Sequence, residues 1–405
     1  MDKLKPELLS PAGDLERLRF ALLYGADAVY LAGEQYGMRT ASKNFDLETM
    51  EKGIKLAHSA NKRVYLTLNT VMTNAEADGL GEYIKDVAKI GIDAFIVADI
   101  GVLAMAKKIA PEMEIHLSTQ VGIMNWLTAK TAYEMGAKRV VLAREMSLEE
   151  IKILRDKTPP QLEIEAFVHG AMCMSFSGRC LLSHYLTGRD ANRGACAQPC
   201  RWEWQLYQKG DEKKYDIGET ENGSYILNAD DLKTIEFINE VCDAGVNSLK
   251  IEGRAKSFYY VASTTAAYRK ALDEYNKGGK YICPPQALEE LEKTSHRRYS
   301  KGFYYGRDEA IQNETTGGYY KTWDVMAVVE KCENGKIYCS QRGKFFKGDT
   351  LEILTPNGEV KKIVADIIFD DENNLIDATP RSMMAFSMEN DIVVPKDSII
   401  RKKQV

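Results

Sequence analysis

The pattern of apolar and polar positions repeats along roughly the first 275 residues. An amphipathic segment ends at a glycine, a short turn follows, and an apolar run begins. A glycine just past a helix end accepts the left-handed backbone that caps the last carbonyls. Near-continuous apolar runs are typical of parallel strands that are buried on both faces. Four copies share this pattern, with glycines at 25, 91, 136 and 245 and apolar runs at 28–31, 94–97, 140–142 and 249–251.

Four further apolar runs bring the number of predicted strands to eight, each followed by a helical segment. These runs are 7–10, 64–69, 114–119 and 163–168. Eight βα units over roughly 270 residues favour an α/β fold of the (β/α)8 TIM-like barrel type over an open, doubly wound sheet. No Gly-x-Gly-x-x-Gly follows the first strand, which argues against a dinucleotide-binding sheet. The helices with predicted bounds are 14–24, 75–90, 126–135, 147–157, 232–244 and 258–275.

The repeat breaks once, between the seventh strand and the helix predicted from residue 232. We expect a cysteine-rich insertion here, at about 170–225 of a barrel domain that spans 1–278. Within it, residues 202–208 and 225–227 read as a hairpin. A long insertion after a barrel strand lies at the C-terminal face, where barrel enzymes carry their active sites.

The pattern changes beyond the barrel. A linker and helical extension is expected at 279–321, and a small, separable all-β barrel domain at 322–405. Its predicted strands are 325–330, 336–340, 350–354, 360–368 and 391–394. One loop, 341–347, is basic with interleaved aromatic residues, as in a solvated hairpin or in a loop that contacts RNA.

Composition adds modest limits. The 405 residues are 44% hydrophobic and 28% charged, as in ordinary globular proteins. The net charge of −5 gives no global basic field, although a local basic patch would still allow RNA binding. No apolar run reaches the ~20 residues that cross a bilayer, and the N-terminus lacks a signal-peptide pattern. We therefore expect a cytoplasmic protein without membrane attachment; the sequence does not indicate an oligomeric state.

Four of the eight cysteines fall within 28 residues: Cys173, Cys180, Cys196 and Cys200. Their spacing, Cys-x6-Cys-x15-Cys-x3-Cys, matches a paired zinc knuckle only in its second half. Four thiolates in a reducing compartment suit an iron–sulfur cluster, a zinc ion or a set of buried structural thiols. Cys242, on the helix before the last barrel strand, is an alternative fourth ligand.

The segment from Glu165 to Ser183 resembles the signature of the collagenase-like peptidase family, unclassified peptidase family thirty-two. The resemblance extends over most of the chain, including the opening Glu7-Leu-Leu-Ser-Pro-Ala-Gly-Asp and the phrase Leu249-Lys-Ile-Glu-Gly-Arg254. The continuation Arg193-Gly-Ala-Cys196, ending in Cys200-Arg-Trp, is similar to that of family members that hydroxylate bacterial tRNA.

That resemblance implies a function. It implies prephenate-dependent, oxygen-independent 5-hydroxylation of the wobble uridine at position 34, with the tRNA anticodon loop as the partner and prephenate as the hydroxyl donor. It also implies a 4Fe-4S cluster on Cys173, Cys180, Cys196 and Cys200, with zinc as the alternative. Hydroxylation of another RNA base, proteolysis and a non-catalytic RNA-binding role stay open. Against proteolysis, the chain contains neither His-Glu-x-x-His nor a Gly-x-Ser-x-Gly elbow.

Barrel enzymes place polar residues at the C-terminal ends of their strands. On this basis His169, Glu252 and Arg254 are the candidate catalytic residues, and Arg254 is the predicted clamp for a carboxylate. A hydrogen-bonded core role is the alternative for His169, and an internal ion-pair network is the alternative for Glu252 and Arg254. The candidate substrate-binding residues are Arg39, Asn69 and Gln120.

Overall fold

The computed structural model describes residues 5–37, 44–173, 180–202, 204–207, 214–217, 230–306 and 319–404. A parallel barrel occupies the described residues before 307, and an antiparallel sheet those after 318. The strands of the first part are β1 (Glu7–Pro11), β2 (Ala28–Leu31), β3 (Arg63–Leu68), β4 (Ala94–Val97), β5 (Glu114–Leu117), β6 (Arg139–Val141), β7 (Glu163–Ala171), β8 (Trp204–Tyr207), β9 (Lys214–Ile217), β10 (Asp231–Lys233), β11 (Ser248–Ile251) and β12 (Tyr299–Ser300).

Strands β1 to β7 pair in sequence order, all parallel, and β11 pairs with both β7 and β1. The sheet is therefore closed, which confirms the predicted (β/α)8 TIM-like barrel. The eight strands lie where the apolar runs predict them, and the largest difference is at β7, which extends to Ala171.

Most of the helices surround the barrel wall and bury apolar residues against it, whereas α7 lies in the insertion and leaves Tyr185 and Leu186 exposed. In chain order they are α1 (Leu15–Leu23), α2 (Leu47–Ser59), α3 (Asn74–Lys89), α4 (Ile100–Ile109), α5 (Trp126–Glu134), α6 (Leu148–Asp156), α7 (Leu182–Thr187), α8 (Ile238–Asp243), α9 (Phe258–Asn276) and α10 (Pro285–Glu292). Within the described residues, none of these helices is long and apolar enough to cross a bilayer.

The recurring glycine has the conformation that the sequence pattern requires. At all four positions its φ lies between 91° and 107°, in the left-handed region, immediately before the turn into the next strand. A side chain at Gly245 would also collide with Arg155, because an added Cβ would lie 2.5 Å from the Cγ of that arginine. The glycines therefore allow both the turn and the close packing of neighbouring units.

One predicted helix starts too early. Residues 231–233 form β10, which pairs antiparallel with the end of β7, and α8 begins only at Ile238. The backbone N–H of Thr234 also donates to the carbonyl of Val168 at 3.1 Å. The prediction of helix from residue 232 is wrong because the extended end of β7 takes up these backbone groups.

The first strand of the predicted hairpin is confirmed, since residues 204–207 form β8. β8 pairs with β9 at 214–217, so that Trp204 lies opposite Ile217. The strand predicted at 225–227 lies outside the described residues.

The second domain is one antiparallel sheet. Its strands are β13 (Trp323–Glu333), β14 (Lys336–Gln341), β15 (Thr350–Leu354), β16 (Val360–Val364), β17 (Ile368–Asp370), β18 (Leu375–Ile376), β19 (Ala385–Glu389) and β20 (Ile399–Lys403). Their order is β16-β15-β20-β13-β14-β19-β17-β18, a half-barrel around its own apolar core. The strand predicted at 391–394 is wrong, since no strand is present there, and the sequence pattern did not predict β19 and β20.

The two domains share a buried interface. Phe20 of α1 and Tyr24, the residue after this helix, pack with Val328, Leu354 and Ile399 of the sheet domain. The Tyr24 hydroxyl donates to the Leu354 carbonyl at 3.0 Å. Separation would expose this apolar cluster to water, and the expectation of a separable β-domain stays a prediction.

A buried ion network reinforces the same interface. The guanidinium of Arg401, on β20, donates to Glu290 of α10 at 2.8 Å and to Glu352 of β15 at 3.0 Å. Lys293 donates to the same Glu352 carboxylate at 2.9 Å. Arg401 is completely buried, so its charge depends on these carboxylates for compensation.

Candidate active site at the mouth of the barrel

The interior of the barrel is charged and tightly paired. Arg139 contacts Glu7 at 2.6 Å and Glu165 at 3.0 Å, and Lys250 contacts Glu165 at 2.7 Å. Glu165 is fully buried, and the neighbouring Lys250 and Arg139 overcome its desolvation and lower its pKa to about 2. These charges form the floor beneath the mouth, and each is satisfied within the protein.

Arg144 lies above this floor, three residues after the end of β6. Its Nη1 donates to the carbonyl of Ala171 at 2.7 Å, and its guanidinium lies 3.9 Å from the centre of the Phe167 ring. Nη2 is 3.9 Å from Oε2 of Glu252. The Tyr30 hydroxyl approaches the same carboxylate oxygen at 3.4 Å. An arginine, a carboxylate and two aromatic rings therefore converge at the mouth.

Sequence reasoning did not identify Arg144, which is adjacent to a second polar residue, Glu145, beyond the sixth barrel strand. The available signal was a basic residue three positions beyond the sixth barrel strand, comparable to Glu252, which directly follows the eighth barrel strand. Charge type alone does not show which of two adjacent polar residues faces the mouth, whereas the contact with Phe167 does.

The three candidate catalytic residues lie in different surroundings. Glu252 reaches the mouth, and its backbone N–H donates to the carbonyl of His169 at 2.8 Å. Arg254 is almost completely buried, and its backbone carbonyl would lie 2.2 Å from a Cβ added at Gly13. The ends of the first and eighth strands are thus packed closely, and a clamp role for Arg254 stays a prediction.

His169 lies in the barrel wall. Its ring is 5.4 Å from the rings of Tyr268 and Tyr299 and 5.9 Å from that of Tyr260, on the outer layer formed by α9 and β12. Burial lowers the pKa of His169 well below the ordinary value, so the ring is neutral at neutral pH. This is the environment of a core histidine, and a catalytic role for it remains only a prediction.

Two of the substrate-binding candidates come together. Asn69, after β3, donates to the Ser118 hydroxyl at 3.5 Å, and the same hydroxyl accepts from the backbone N–H of Gln120 at 3.4 Å. Both residues therefore lie at the C-terminal ends of their strands. Arg39 lies outside the described residues.

The cysteine-bearing insertion is docked beside the mouth by Arg193. Its Nη1 donates to Glu76 at 2.9 Å and to the carbonyl of Val71 at 2.6 Å. Glu76 caps α3, and hydrogen bonds from Arg193 and from Thr73 lower its pKa to about 2. Because α3 follows the third barrel strand, this contact fixes the insertion over the C-terminal face.

Of the four clustered cysteines, Cys173 and Cys196 are exposed, and Cys180 and Cys200 are half-buried. The backbone N–H of Gln198 donates to Sγ of Cys196 at 3.3 Å. Four cysteine side chains on one insertion fit an iron–sulfur or zinc site in their chemistry. However, in the part of the chain that the structure describes, no group of three or more His, Cys, Asp or Glu side chains is gathered as a metal site requires. Ligation by these four thiols therefore stays a prediction.

The alternative ligand has a different position. Cys242 is buried in the barrel core on α8, among apolar residues of the wall. A thiol packed in this way behaves as a small apolar side chain. Its placement favours Cys200 over Cys242 as the fourth ligand, although neither is assigned by the described contacts.

The basic loop of the second domain lies next to the barrel's C-terminal face. Arg342 forms an ion pair with Glu16 at 3.2 Å, and its guanidinium is 6.0 Å from the Phe258 ring. Both partners lie in the first turns of helices that follow barrel strands. Farther along the loop, Phe346 is 51% exposed, with the Lys344 ammonium 4.8 Å from its ring centre. The loop therefore contacts the barrel through Arg342 and presents an exposed aromatic ring beside a cation farther along.

Comparison with known families matches residues 13–314 to Peptidase family U32 and residues 321–401 to the Peptidase family U32 C-terminal domain. Three curated relatives cover most of the chain or of its barrel. The tRNA hydroxylation protein P1 of Bacillus subtilis (strain 168) is 36% identical over 98% of this chain and 95% of its own length. The tRNA hydroxylation protein P of Escherichia coli (strain K12) is 38% identical over 88% of this chain and 87% of its own. The 23S rRNA 5-hydroxycytidine C2501 synthase of the same strain is 39% identical over 66% of this chain and 39% of its own.

Proposed function

This chain belongs to peptidase family U32, and from that membership we propose that it is a tRNA hydroxylase. The observation that carries the proposal is the 36% identity to a tRNA hydroxylation protein over 98% of the chain, both domains included. In detail, we propose oxygen-independent 5-hydroxylation of the wobble uridine at position 34, with prephenate as the hydroxyl donor. The reaction would take place in the cytoplasm.

Binding of an anticodon loop is supported by the loop of the second domain that lies beside the barrel. The bases of an anticodon loop are already unpaired, so a wobble base enters an enzyme pocket at small unstacking cost. The exposed Phe346 and the neighbouring Lys344 provide one surface for base stacking and one cation for the backbone. The Arg342–Glu16 pair holds this loop beside the barrel, within reach of an RNA loop that enters the mouth.

The proposed hydroxylation chemistry depends on the residues at the mouth of the barrel. Hydroxylation at C5 replaces a C–H bond by a C–O bond, so the base must lose the C5 proton and two electrons. In this proposal the C–O bond of the donor breaks as the new bond forms, and the donor takes up both electrons. Glu252 lies at the mouth with the Tyr30 hydroxyl at 3.4 Å from one of its carboxylate oxygens, and we assign it the role of proton acceptor. Asn69 and Gln120, joined through Ser118, would bind polar groups of the substrate.

An iron–sulfur cluster on Cys173, Cys180, Cys196 and Cys200 completes the proposal, with zinc as the alternative metal. When bound, such a cluster supplies electron transfer or Lewis-acid polarisation of an oxygen-bearing donor. The four thiols would hold it, and the Arg193–Glu76 contact would keep their segment at the barrel face. Soft thiolates select iron–sulfur clusters or zinc over magnesium or calcium.

The family name also raises proteolysis as a second candidate, and the site does not favour it. His169 is buried among tyrosine rings, and its Nε2 has no hydrogen-bond partner among the described residues. His116, the other histidine on a barrel strand, lies beside Glu114 at 3.6 Å in the paired floor of the barrel. A nucleophile–histidine pair would need one of these rings to face the mouth.

The decisive experiment is nucleoside mass spectrometry of tRNA from a deletion strain that carries the gene on a plasmid. We expect 5-hydroxyuridine to disappear on deletion and to return with the wild-type chain. A deletion strain with normal 5-hydroxyuridine, in a genome without a second copy, would refute the proposal. Loss of 5-hydroxycytidine from ribosomal RNA instead would identify the alternative base.

A further inference from the structure

We propose that Arg144 binds a carboxylate group of the small-molecule donor at the mouth of the barrel. This role rests on the proposed hydroxylase function and names the residue that recognises the donor. It also replaces Arg254, the clamp predicted from sequence, by an arginine whose contacts the structure defines.

The first step is that Arg144 is held in one orientation. Nη1 donates to the carbonyl of Ala171, the last residue of β7, at 2.7 Å. The guanidinium carbon lies over the Phe167 ring, 3.9 Å from its centre, and this contact restricts rotation of the side chain. A ligand that binds here therefore meets a preorganised donor group and does not have to order a flexible one.

The second step is that the edge suited to a carboxylate has an N–H without a hydrogen-bond acceptor in the described residues. Nε and Nη2 form the side of a guanidinium that can give two parallel hydrogen bonds to a carboxylate. Nε of Arg144 is buried without a hydrogen-bond partner in the described residues. Nη2 comes no closer than 3.9 Å to the Glu252 carboxylate, which is beyond hydrogen-bond distance. A buried N–H without a partner is unfavourable, and a ligand oxygen would relieve that cost.

The third step is a comparison with the cations deeper in the barrel. Arg139 and Lys250 contact their carboxylates at 2.6 to 3.0 Å, so their charges are used within the protein. Arg144 has a carboxylate near enough to compensate part of its charge and too far to saturate its hydrogen bonds. The partial compensation by Glu252 makes the buried charge of Arg144 tolerable when no ligand is bound. The remaining N–H groups can still donate to a ligand.

The site also selects for ligand type. The Arg144 side chain is only 11% exposed and lies on an apolar ring, so it is recessed beneath the surface. A small carboxylate can enter a recess of this kind, whereas backbone phosphates of a folded RNA are met by exposed cations such as Lys344. The ligand class is therefore a small organic carboxylate, which prephenate satisfies.

The test is calorimetric titration of the full-length chain, purified without oxygen, with prephenate and separately with inorganic phosphate. We expect Arg144→Ala to weaken prephenate binding at least tenfold, the size of effect that loss of a charged hydrogen-bonded contact gives. Arg144→Lys keeps the positive charge but cannot give two parallel hydrogen bonds to one carboxylate. Its affinity for prephenate should therefore lie between those of the wild type and of Arg144→Ala. Circular dichroism of each variant shows whether it folds, and the lysine variant provides the result if the alanine variant does not.

Arg189→Ala is the matched control, because Arg189 is an exposed arginine on the same face of the barrel. It should bind prephenate within twofold of wild type. Wild-type affinity in both Arg144 variants would overturn the inference, as would loss of binding in Arg254→Ala alone. Tighter binding of phosphate than of prephenate would overturn the carboxylate assignment. Arg144-dependent prephenate binding in a strain whose tRNA never contains 5-hydroxyuridine would support this site while refuting the proposed reaction.

Discussion

Arg193 and Glu76 form a two-pronged ion pair that joins the cysteine-bearing insertion to the helix after the third barrel strand. One prong runs from Nη1 to Oε2 at 2.9 Å, and the other joins Nη2 to Oε1. Glu76 at the same time caps its own helix by accepting from the backbone N–H of Thr73 at 2.8 Å. The position of the insertion is thus coupled to a structural feature of the barrel itself.

This pair predicts a local effect of Arg193→Ala. Both side chains are about one-third exposed, so solvent screens the pair and its loss should cost no more than about 1 kcal/mol of global stability. We expect faster amide hydrogen exchange in residues 190–194 and 70–73, with little change elsewhere. Arg189→Ala is the control and should leave both segments protected. Unchanged exchange in both segments would mean that other contacts fix the insertion.

The same pair predicts a pH dependence. The native pKa of Glu76 is about 2, below its ordinary value of 4.5, so the native state binds this proton less readily than the unfolded chain. The stabilisation is therefore complete above pH 4.5 and is lost as the pH falls from 4.5 towards 2. Hydrogen exchange of residues 190–194 should accelerate across this window in the wild type. In Arg193→Ala the acceleration across this window should be smaller, since Glu76 would regain a more ordinary pKa and the two states would bind the proton more equally; identical profiles for the two proteins would exclude the pair as its cause.

A second prediction concerns the domain interface. Arg401→Ala would leave Glu290 and Glu352 buried with less compensating charge, a change that typically costs about 3–5 kcal/mol. Urea unfolding, followed by circular dichroism, measures this loss. The free energy of unfolding of Lys362→Ala, an exposed change in the same domain, should lie within about 0.5 kcal/mol of the wild-type value.

We also expect a chain truncated at Thr322 to have a less stable barrel, since the apolar cluster that contains Phe20 and Tyr24 would be exposed to water. A truncated chain whose barrel keeps the wild-type stability would support the view that the β-domain is separable.

A third prediction tests the metal proposal. Alanine at Cys173 or Cys196 should reduce iron and sulfide per chain of anaerobically purified protein to near zero, because the cluster needs each thiolate. Cys283→Ala is the control, since Cys283 lies outside the insertion and should leave the iron content unchanged. Comparison of Cys200→Ala with Cys242→Ala identifies the fourth ligand. Stoichiometric zinc without iron in the wild type would favour the zinc alternative, and unchanged iron in the Cys196 variant would exclude that residue as a ligand.

A fourth prediction concerns RNA binding by the loop of the second domain. Loss of one stacked base typically costs about 1–3 kcal/mol, so Phe346→Ala should weaken binding of an anticodon stem-loop by that amount. Lys344→Glu should weaken it further and lower the salt dependence by about one ion. Fluorescence anisotropy at several salt concentrations measures both effects.

The sheet domain offers a matched control for that loop. Lys336 lies 3.7 Å from the centre of the Phe369 ring, a similar lysine–phenylalanine pair on other strands of the sheet. Lys336→Glu should change the affinity much less than Lys344→Glu. Equal losses in the two variants would indicate a general charge effect and would rule out a specific contact by the loop.

The sequence predicts those parts of the fold that depend on neighbouring residues, and it fails where a strand depends on residues far away along the chain. The turns at Gly25 and Gly245 and the apolar strands after them are local features, and both follow from local sequence. Strand β10 was missed because its pairing with β7 depends on a segment more than 60 residues away. Strand β20 was missed because its basic residues suggest an exposed segment, whereas Arg401 is buried by partners on α10 and β15.

The candidate site shows the same division. Placement of Glu252 at the C-terminal end of a strand follows from the order of the elements, and the structure agrees. The orientation of side chains does not follow from it: His169 packs in the wall with tyrosine rings, while Arg144 reaches the mouth. Both side-chain orientations depend on tertiary contacts, which cannot be inferred from the spacing of apolar and polar residues along the chain. The metal site is the least determined, because the spacing of cysteines along a chain does not fix their separation in space.

The last prediction separates binding from chemistry at Glu252. Glu252→Gln keeps the size of the side chain and its contact with the Tyr30 hydroxyl, but it removes the negative charge and the capacity to accept a proton. Hydroxylation of a synthetic anticodon stem-loop in a single turnover should therefore slow by roughly 100-fold or more, as for loss of a general base. Prephenate binding should stay equal or become tighter, because the charge 3.9 Å from Arg144 no longer repels a carboxylate.

Glu149→Gln, an exposed change at the start of α6, is the control and should react at the wild-type rate. A Glu252→Gln chain that loses prephenate binding and keeps its rate at saturating donor would assign Glu252 to recognition. Slow hydroxylation with intact or tighter binding is expected only if the carboxylate acts on the base, because a merely structural carboxylate would weaken both steps together.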